Sequence, residues 1–375
     1  MSGLYLDNAA TTPVRREVLE AMSPFLTSAY GNPSSHHTVG EQAAAALDDA
    51  RRRVARVLGV RPGDIVFTSG GTEANNLAIK GIALAALQNS GARHVITSPI
   101  EHESVLASVG YLRRLHGFEV TVLPVDADGV IDPGDVAGAV RPDTAVVSIG
   151  LANNEIGTVQ DAAALADARG SARLHLDAVQ AAGWVRLSGL GADALTLAGH
   201  KLGAPKGIGV AMIRGRIPLE PVIHGGGQQR DRRSGTENVA GAVGFAVALE
   251  LAEAEREEAA ARVAAARDAF VARVLREVPS ARLTGHPQRR LPGTASFTFA
   301  GVSGEAVLLE LERRGVISSS GSACSAGSDE ASHVLTAIGV EHDLARTAVR
   351  FTLPHAWAGS LDAVAVAVAA SVAAV

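Results

Sequence analysis

Cysteine is almost absent: Cys324 is the single one in 375 residues. An intramolecular disulfide is therefore impossible, and no cluster of thiolates from one chain can hold a metal. Lysine is nearly as scarce. Lys80, Lys201 and Lys206 stand in a basic complement otherwise made of arginine, so chemistry that needs an amine has three candidates. The 12 histidines show neither H-E-x-x-H nor another metal-ligand spacing, and no metal is expected. Charge of one sign is lacking as well: 34 Lys plus Arg against 39 Asp plus Glu leave a net charge of -5. That balance gives no whole-molecule attraction to nucleic acid or to anionic membranes, and a small, locally bound substrate is the better expectation. No basic start followed by an apolar run opens the sequence, and the apolar stretch Ala363 to Val375 is shorter than the roughly 20 residues a bilayer span needs. A cytoplasmic location and a packed terminal helix are expected.

What is present is ample core material, with 47% hydrophobic residues. Strand-like apolar runs recur at Ile65 to Thr68, His94 to Thr97, Val120 to Leu123, Ala145 to Ile149, Leu174 to Leu176, Ala194 to Leu197 and Ile208 to Ile213. Segments of helical period, such as Thr72 to Leu87 and Ser104 to Leu115, separate several of them. This alternation predicts an α/β fold with a mostly parallel seven-stranded sheet covered by helices on both faces. From Glu237 to Val278 the sequence is Ala-rich and free of proline, which predicts one or two long helices bridging two domains. Alternating residues near Ala295 to Phe299, a helix from Gly304 to Arg314 and a strand at Ala348 to Leu353 describe a smaller α+β unit. The expected division is a large domain over 15–256, with 1–14 and 257–375 forming the small domain that carries the Cys324 loop.

Several residue types suited to one chemistry fall at the carboxyl edge of the expected sheet, where open α/β folds bind ligands. The strand ending at Thr68 runs into Ser69-Gly-Gly-Thr-Glu73 and then a helical pattern, so the Gly-rich turn places backbone N–H groups at a helix start, suited to a phosphate, with the Thr72 hydroxyl as a further donor. Taken alone, the turn serves as well without a ligand. Asp177 closes the strand Leu174-His-Leu-Asp177, placed to keep a pyridine nitrogen protonated; singly, an Asp that caps the next turn is the simpler account. Lys201, in Ala198-Gly-His-Lys201, sits just past the next strand and suits a Schiff-base lysine. Lys80 lies within a helical pattern and Lys206 in a glycine loop. His102 follows the strand ending near Thr97, where an imidazole can stack on a flat cofactor and move protons, although a lone loop histidine is more often inert. Cys324 stands in Ser318-Ser-Ser-Gly-Ser-Ala-Cys-Ser-Ala-Gly-Ser328, a run too small to pack a core, which suits a nucleophile on a swinging loop. Arg350, on a strand pattern, offers a planar fork for a carboxylate or a surface ion pair.

Together these residues resemble the cysteine desulfurase family, the class V aminotransferase-like, fold type I pyridoxal-phosphate (PLP) enzymes, and more its housekeeping and nitrogen-fixation type than its sulfur-mobilisation type. The resemblance spans nearly the whole chain. It runs through Tyr5-Leu-Asp-Asn-Ala-Ala-Thr-Thr-Pro13, Gly31-Asn-Pro-Ser-Ser35, Ser69-Gly-Gly-Thr-Glu73, Glu101-His102, Asn153-Asn-Glu-Ile-Gly157, Asp177-Ala-Val-Gln180, Gly199-His-Lys201, Arg233-Ser-Gly-Thr236, Ser319-Ser-Gly-Ser-Ala-Cys324 and Arg350-Phe351.

The resemblance implies that Lys201 carries PLP, Asp177 pairs with its pyridine nitrogen, Gln180 and Asn154 address the ring hydroxyl side, and His102 stacks on the ring. Thr72, His200 and the Gly71 backbone would hold the phosphate, with Thr236 arriving from the second subunit of a homodimer. Arg350 with Asn32 would hold the carboxylate of L-cysteine, whose sulfur passes to Cys324 and then to an acceptor protein. Three departures stand out: Ala198 where many relatives have serine, Leu202-Gly-Ala-Pro205 after the lysine, and an end at Val375 short of the tail with which some relatives dock an iron-sulfur scaffold. A selenocysteine lyase or a small amino acid aminotransferase would keep Lys201 and Asp177, and the aminotransferase has no need of Cys324. A non-enzymatic sulfur carrier needs no PLP.

Overall fold

The structure, a computed structural model, describes residues 3–321 and 330–375. Seven strands form the main sheet, in the spatial order Ile65–Thr68, Gly209–Ile213, Ala194–Ala198, Arg173–Asp177, Thr144–Gly150, His94–Thr97, Glu119–Val122. All ladders are parallel except the two flanking Gly209–Ile213, which runs against both its neighbours. The strands between the edges are almost wholly buried, as a sheet covered on both faces requires. The edge strand Glu119–Val122 is largely open to solvent. Helices Gly71–Ser90 and Glu103–His116 pack over one face, and the carboxyl ends of the parallel strands open on one edge.

The Ala-rich stretch forms a single helix, Val239–Glu277, of 39 residues, or about 59 Å at 1.5 Å per residue. Asn238 caps its start by accepting from the Gly241 N–H at 2.9 Å. Its first three turns are buried nearly all round in the core of the main sheet, through Ala242, Phe245 and Leu249. Beyond Ala252 only Ala259, Val263, Arg267, Phe270 and Val274 are buried, a spacing of three to four that brings Val263, Phe270 and Val274 to a second core. That second core lies on the antiparallel sheet Val349–Thr352, Thr294–Phe299, Ala281–Leu283.

Four of the eight phenylalanines meet there. Phe270 stands edge-on to Phe297 at 5.8 Å and to Phe351 at 5.3 Å, the arrangement that ring quadrupoles favour. The N-terminal segment ties this core to the first. Leu4–Tyr5 pairs with Val316–Ile317, Asn8 Nδ2 donates to the Thr352 carbonyl at 2.7 Å, and the Thr12 hydroxyl donates to the His200 carbonyl at 2.8 Å. Among the described residues, no helix is long and apolar enough to cross a membrane.

Phe297 is fully buried at the centre of the ring cluster, so Phe297→Ala should lower the stability of the chain by about 3–5 kcal/mol. Leu19, 58% exposed, should tolerate alanine within about 0.5 kcal/mol. Denaturant midpoints of the two variants test this, and equal midpoints would refute the ring cluster as the organising contact of the second core.

Candidate active site

At the carboxyl edge of the main sheet lies a cavity of about 400 Å³. It brings together Gly71, Thr72, His102, Asn154, Asp177, Gln180, His200, Lys201 and Arg350. Asn32 is exposed in a turn, its side-chain oxygen accepting from the Ser34 N–H at 2.9 Å, and Thr236 is exposed before the long helix. Neither lines this cavity. Cys324 lies outside the described residues.

The helix Gly71–Ser90 begins at the cavity, with its first N–H groups facing it as an anion site would have them. A Cβ on Gly71 would stand 2.9 Å from Val179 Cγ2 and 3.3 Å from Ala198 Cβ, so glycine is required for the helix start to come this close. Glu73 fixes the turn by accepting from the Ser69 N–H at 2.7 Å and pairing with Arg233 at 2.7 Å. On the floor, Asp177 is 9% exposed. Its Oδ1 accepts from the Val179 N–H at 3.0 Å and its Oδ2 from Asn75 Nδ2 at 2.7 Å.

Lys201 follows the strand Ala194–Ala198 on a single 3-10 turn. Its Nζ donates to the carbonyls of Ala9 and, at 2.8 Å, Ala10. Gln180 Nε2 shares the Ala9 carbonyl at 3.0 Å. Burial, reinforced by the charges of Lys201 and Lys206, pushes the His200 imidazole down to about 4. It is therefore neutral at pH 7 and serves as a hydrogen-bonding group, with Thr11 Oγ1 3.1 Å from its Nδ1.

Arg350 departs from a surface ion pair in one respect: it is paired, to Asp7 at 2.7 Å, but only 1% exposed. Its Nη1 donates to the carbonyls of Asn154 at 2.9 Å and Gly321 at 3.1 Å. Its buried Nε has no partner among the described residues, and an unmet N–H of this kind is unusual in a folded chain.

The family model described as aminotransferase class-V matches residues 4–355. A cysteine desulfurase IscS of Dictyoglomus turgidum is 46% identical over 354 residues, covering 93% of this chain and 89% of its own length. One from Methanosarcina thermophila is 45% identical and covers 93% and 87%. Among solved structures, a NifS-like protein superimposes with a TM-score of 0.90 at 36% identity over 99% of both chains. A structure of SspA in complex with cysteine does so with a TM-score of 0.82 at 37% identity, over 94% of this chain and 99% of that one. The chain belongs to the cysteine desulfurases of the class-V aminotransferase family.

Desulfurases of this family depend on PLP, and the cavity suits such a group: a helix start for a phosphate, a carboxylate for a ring nitrogen and an amine between them. Three residues of the cavity were not foreseen as functional. Asn75 lies one helical turn beyond Gly71, on the same face, and Ser104 stands between it and His102. The third is Glu101, whose Oε1 accepts from the Ser98 hydroxyl at 2.6 Å while its buried Oε2 has no partner among the described residues. A Cβ on Gly150 would come within 3.0 Å of that oxygen, so glycine at 150 makes room for the carboxyl. Burial, and next the charge of Asp177, pushes Glu101 up to about 8. Two buried carboxyls this close do not both ionise readily.

A stability consequence follows. The unfolded chain loses the Glu101 proton near 4.5, while the folded site holds it to about 8. The stability that proton contributes is complete below pH 4.5 and is lost as pH rises toward 8. Glu101→Gln, neutral at every pH, should therefore be more stable than the unmodified chain at pH 8, by on the order of a few kcal/mol, with the gap closing toward pH 5. Chemical denaturation across that range measures it; parallel profiles would mean that Glu101 is ionised in the folded site.

Proposed function

We propose that Lys201, Asp177 and the Gly71–Thr72 helix start hold PLP, and that the chain uses it to move sulfur from L-cysteine to Cys324. The observation that carries this reading is the convergence of the amine, the buried carboxylate and the free helix start on one cavity. Asp177 would face the pyridine nitrogen, Gln180 and Asn154 the ring hydroxyl side and His102 the ring face, with Thr72, His200 and the Gly71 N–H on the phosphate. Thr236, exposed and away from its own chain's cavity, would serve the cavity of a second copy in a homodimer. Arg350, with Asn32, would hold the cysteine carboxylate.

Bound PLP supplies an electron sink for the pair released at the substrate α-carbon. The rest falls to the chain. The amine of Lys201, which would also hold the cofactor, would take the α-proton of the substrate, and Asp177 would keep the ring nitrogen protonated. The Cys324 thiolate then attacks the substrate sulfur. A sulfur–sulfur bond forms, the carbon–sulfur bond breaks, and the β-carbon gains a proton to become the methyl group of alanine. Sulfur is oxidised by the two electrons that the β-carbon gains, so no outside oxidant is needed. The persulfide on Cys324 passes to an acceptor protein, for iron-sulfur clusters, thiolated tRNA or another sulfur-containing product.

With added PLP and a thiol reductant, the chain should release alanine and sulfide from L-cysteine in equal amounts, and Cys324→Ser and Lys201→Ala should each abolish both. Turnover surviving Cys324→Ser would replace the persulfide reading with a lyase or an aminotransferase. Ala198, 2% exposed beside Gly71, offers the phosphate no hydroxyl. Ala198→Ser should lower the PLP concentration for half-saturation by roughly two- to tenfold, the worth of one net hydrogen bond. Titration of the visible absorbance reads this, and unchanged or weaker binding would show that the 198 side chain does not reach the phosphate.

A further inference from the structure

Asn75 is 1% exposed, and hydrogen bonds occupy both ends of its amide. Nδ2 donates to Asp177 Oδ2 at 2.7 Å and to Ser104 Oγ at 2.9 Å, and Oδ1 accepts from the Thr196 hydroxyl at 2.5 Å. Because a carboxylate oxygen only accepts, the nitrogen must face Asp177, and the amide has one orientation. Directions then follow outward from it. The Ser104 oxygen accepts from Asn75, so its own proton points to His102 Nδ1 at 2.8 Å. The Ser104 N–H, capped by the same ring, also donates to Nδ1, at 3.0 Å. A ring nitrogen approached by two donors carries no proton, so the neutral imidazole bears its hydrogen on Nε2. On the other side, the Thr196 proton is spent on Asn75, and Thr196 Oγ1 accepts from His175 Nε2 at 3.1 Å. His175 Nδ1 accepts in turn from the Ser148 hydroxyl at 2.8 Å.

We infer that Asn75 is a positioning residue for the desulfurase reaction: one buried amide locks the carboxylate of Asp177 and, through Ser104, the ring of His102 into a single unit in which His102 presents Nε2–H to the cavity. The inference deepens the reading given under Proposed function and rests on it, since Asp177 and His102 are the groups assigned there to the cofactor's nitrogen and face. In this form the neutral imidazole is a donor toward the cavity. It donates a hydrogen bond from Nε2 and cannot accept a proton there.

Three measurements on the full-length chain test this. The first needs no cofactor: 15N resonances of the histidine rings in the PLP-free protein, with the His102 signals assigned by their loss in His102→Gln. The expected result is the Nε2–H form for His102 in the unmodified chain and a shift toward mixed tautomers in Ser104→Ala, which removes the hydroxyl but keeps the capping N–H. A proton on Nδ1 in the unmodified chain overturns the inference. The second compares Asn75→Asp, which keeps the size and the bond from Thr196 but replaces the two amide donors with a second carboxyl that must share a proton with Asp177. Its kcat should fall roughly 10- to 100-fold, with KM for cysteine changed less than about twofold. The third is the pH titration of the bound cofactor's visible band, which should move in Asn75→Asp and stay in Ser104→Ala, because only the first touches Asp177.

The other titratable or charged side chains on this cavity or network, Glu101, His175, His200, Lys201 and Arg350, are retained in both variants. Should Asn75→Asp not fold, Ser104→Ala still decides: a kcat and a His102 tautomer equal to those of the unmodified chain would overturn the inference. Failure of the desulfurase reading shows separately, as turnover that survives Lys201→Ala or Cys324→Ser while the tautomer result stands.

Discussion

A carboxylate largely withdrawn from water is the constraint on which the site depends. Asp177 is 9% exposed at the end of a central strand, and a buried charge without hydrogen bonds is costly. Val179 N–H and Asn75 Nδ2 supply those bonds. Each has a structural consequence. The first needs the chain to turn sharply after Asp177, which aims Gln180 back at the Ala9 carbonyl. The second needs a polar residue on an otherwise apolar helix face, whose neighbours Ala74, Leu77 and Ala78 pack into the core. The same charge helps keep Glu101 protonated. Position, hydration and protonation of the cavity floor thus share one cause.

The N-terminal segment extends the constraint to the amine of Lys201. Asp7 pairs with Arg350, Asn8 is bonded to Thr352, the Ala9 and Ala10 carbonyls receive Lys201, and Thr12 is bonded to His200. A stretch of six residues therefore touches Arg350, Lys201 and His200. Without a helix or long strand of its own, it takes its shape from these bonds. A shift of the second core relative to the main sheet would move Arg350 and the Lys201 acceptors together.

Much of the fold was legible in the sequence because both faces of the main sheet are covered. Its strands are continuous apolar runs, and each of the seven expected runs is a strand within a residue or two. Strand direction was not legible: nothing in Gly209–Ile213 distinguishes an antiparallel strand from its parallel neighbours, since side-chain alternation has no sense of direction. The long helix was legible from the absence of proline, and its change from all-round burial to a one-sided stripe follows the loss of Gly and the run of charged residues that begins at Glu253. The residues on the cavity were found through their chemical types and through the family resemblance. Asn32 and Thr236 were found the same way, yet both are exposed and stand apart from the cavity of their own chain.

What the sequence concealed is the layer behind those residues. Asn75 meets Ser104 across 29 positions, Asp177 across 102 and Thr196 across 121, and no local pattern joins residues so far apart. An asparagine in a buried helix face is a visible anomaly, but its partners are chosen by sheet order, which sets Ala194–Ala198 beside Arg173–Asp177. The network consists of amide, hydroxyl and imidazole groups arranged around one acid. A cation at position 75 would have paired with Asp177 more strongly and withdrawn its charge from the cavity. A neutral amide satisfies one carboxylate oxygen while leaving the charge in place, and that charge is what a protonated ring nitrogen requires.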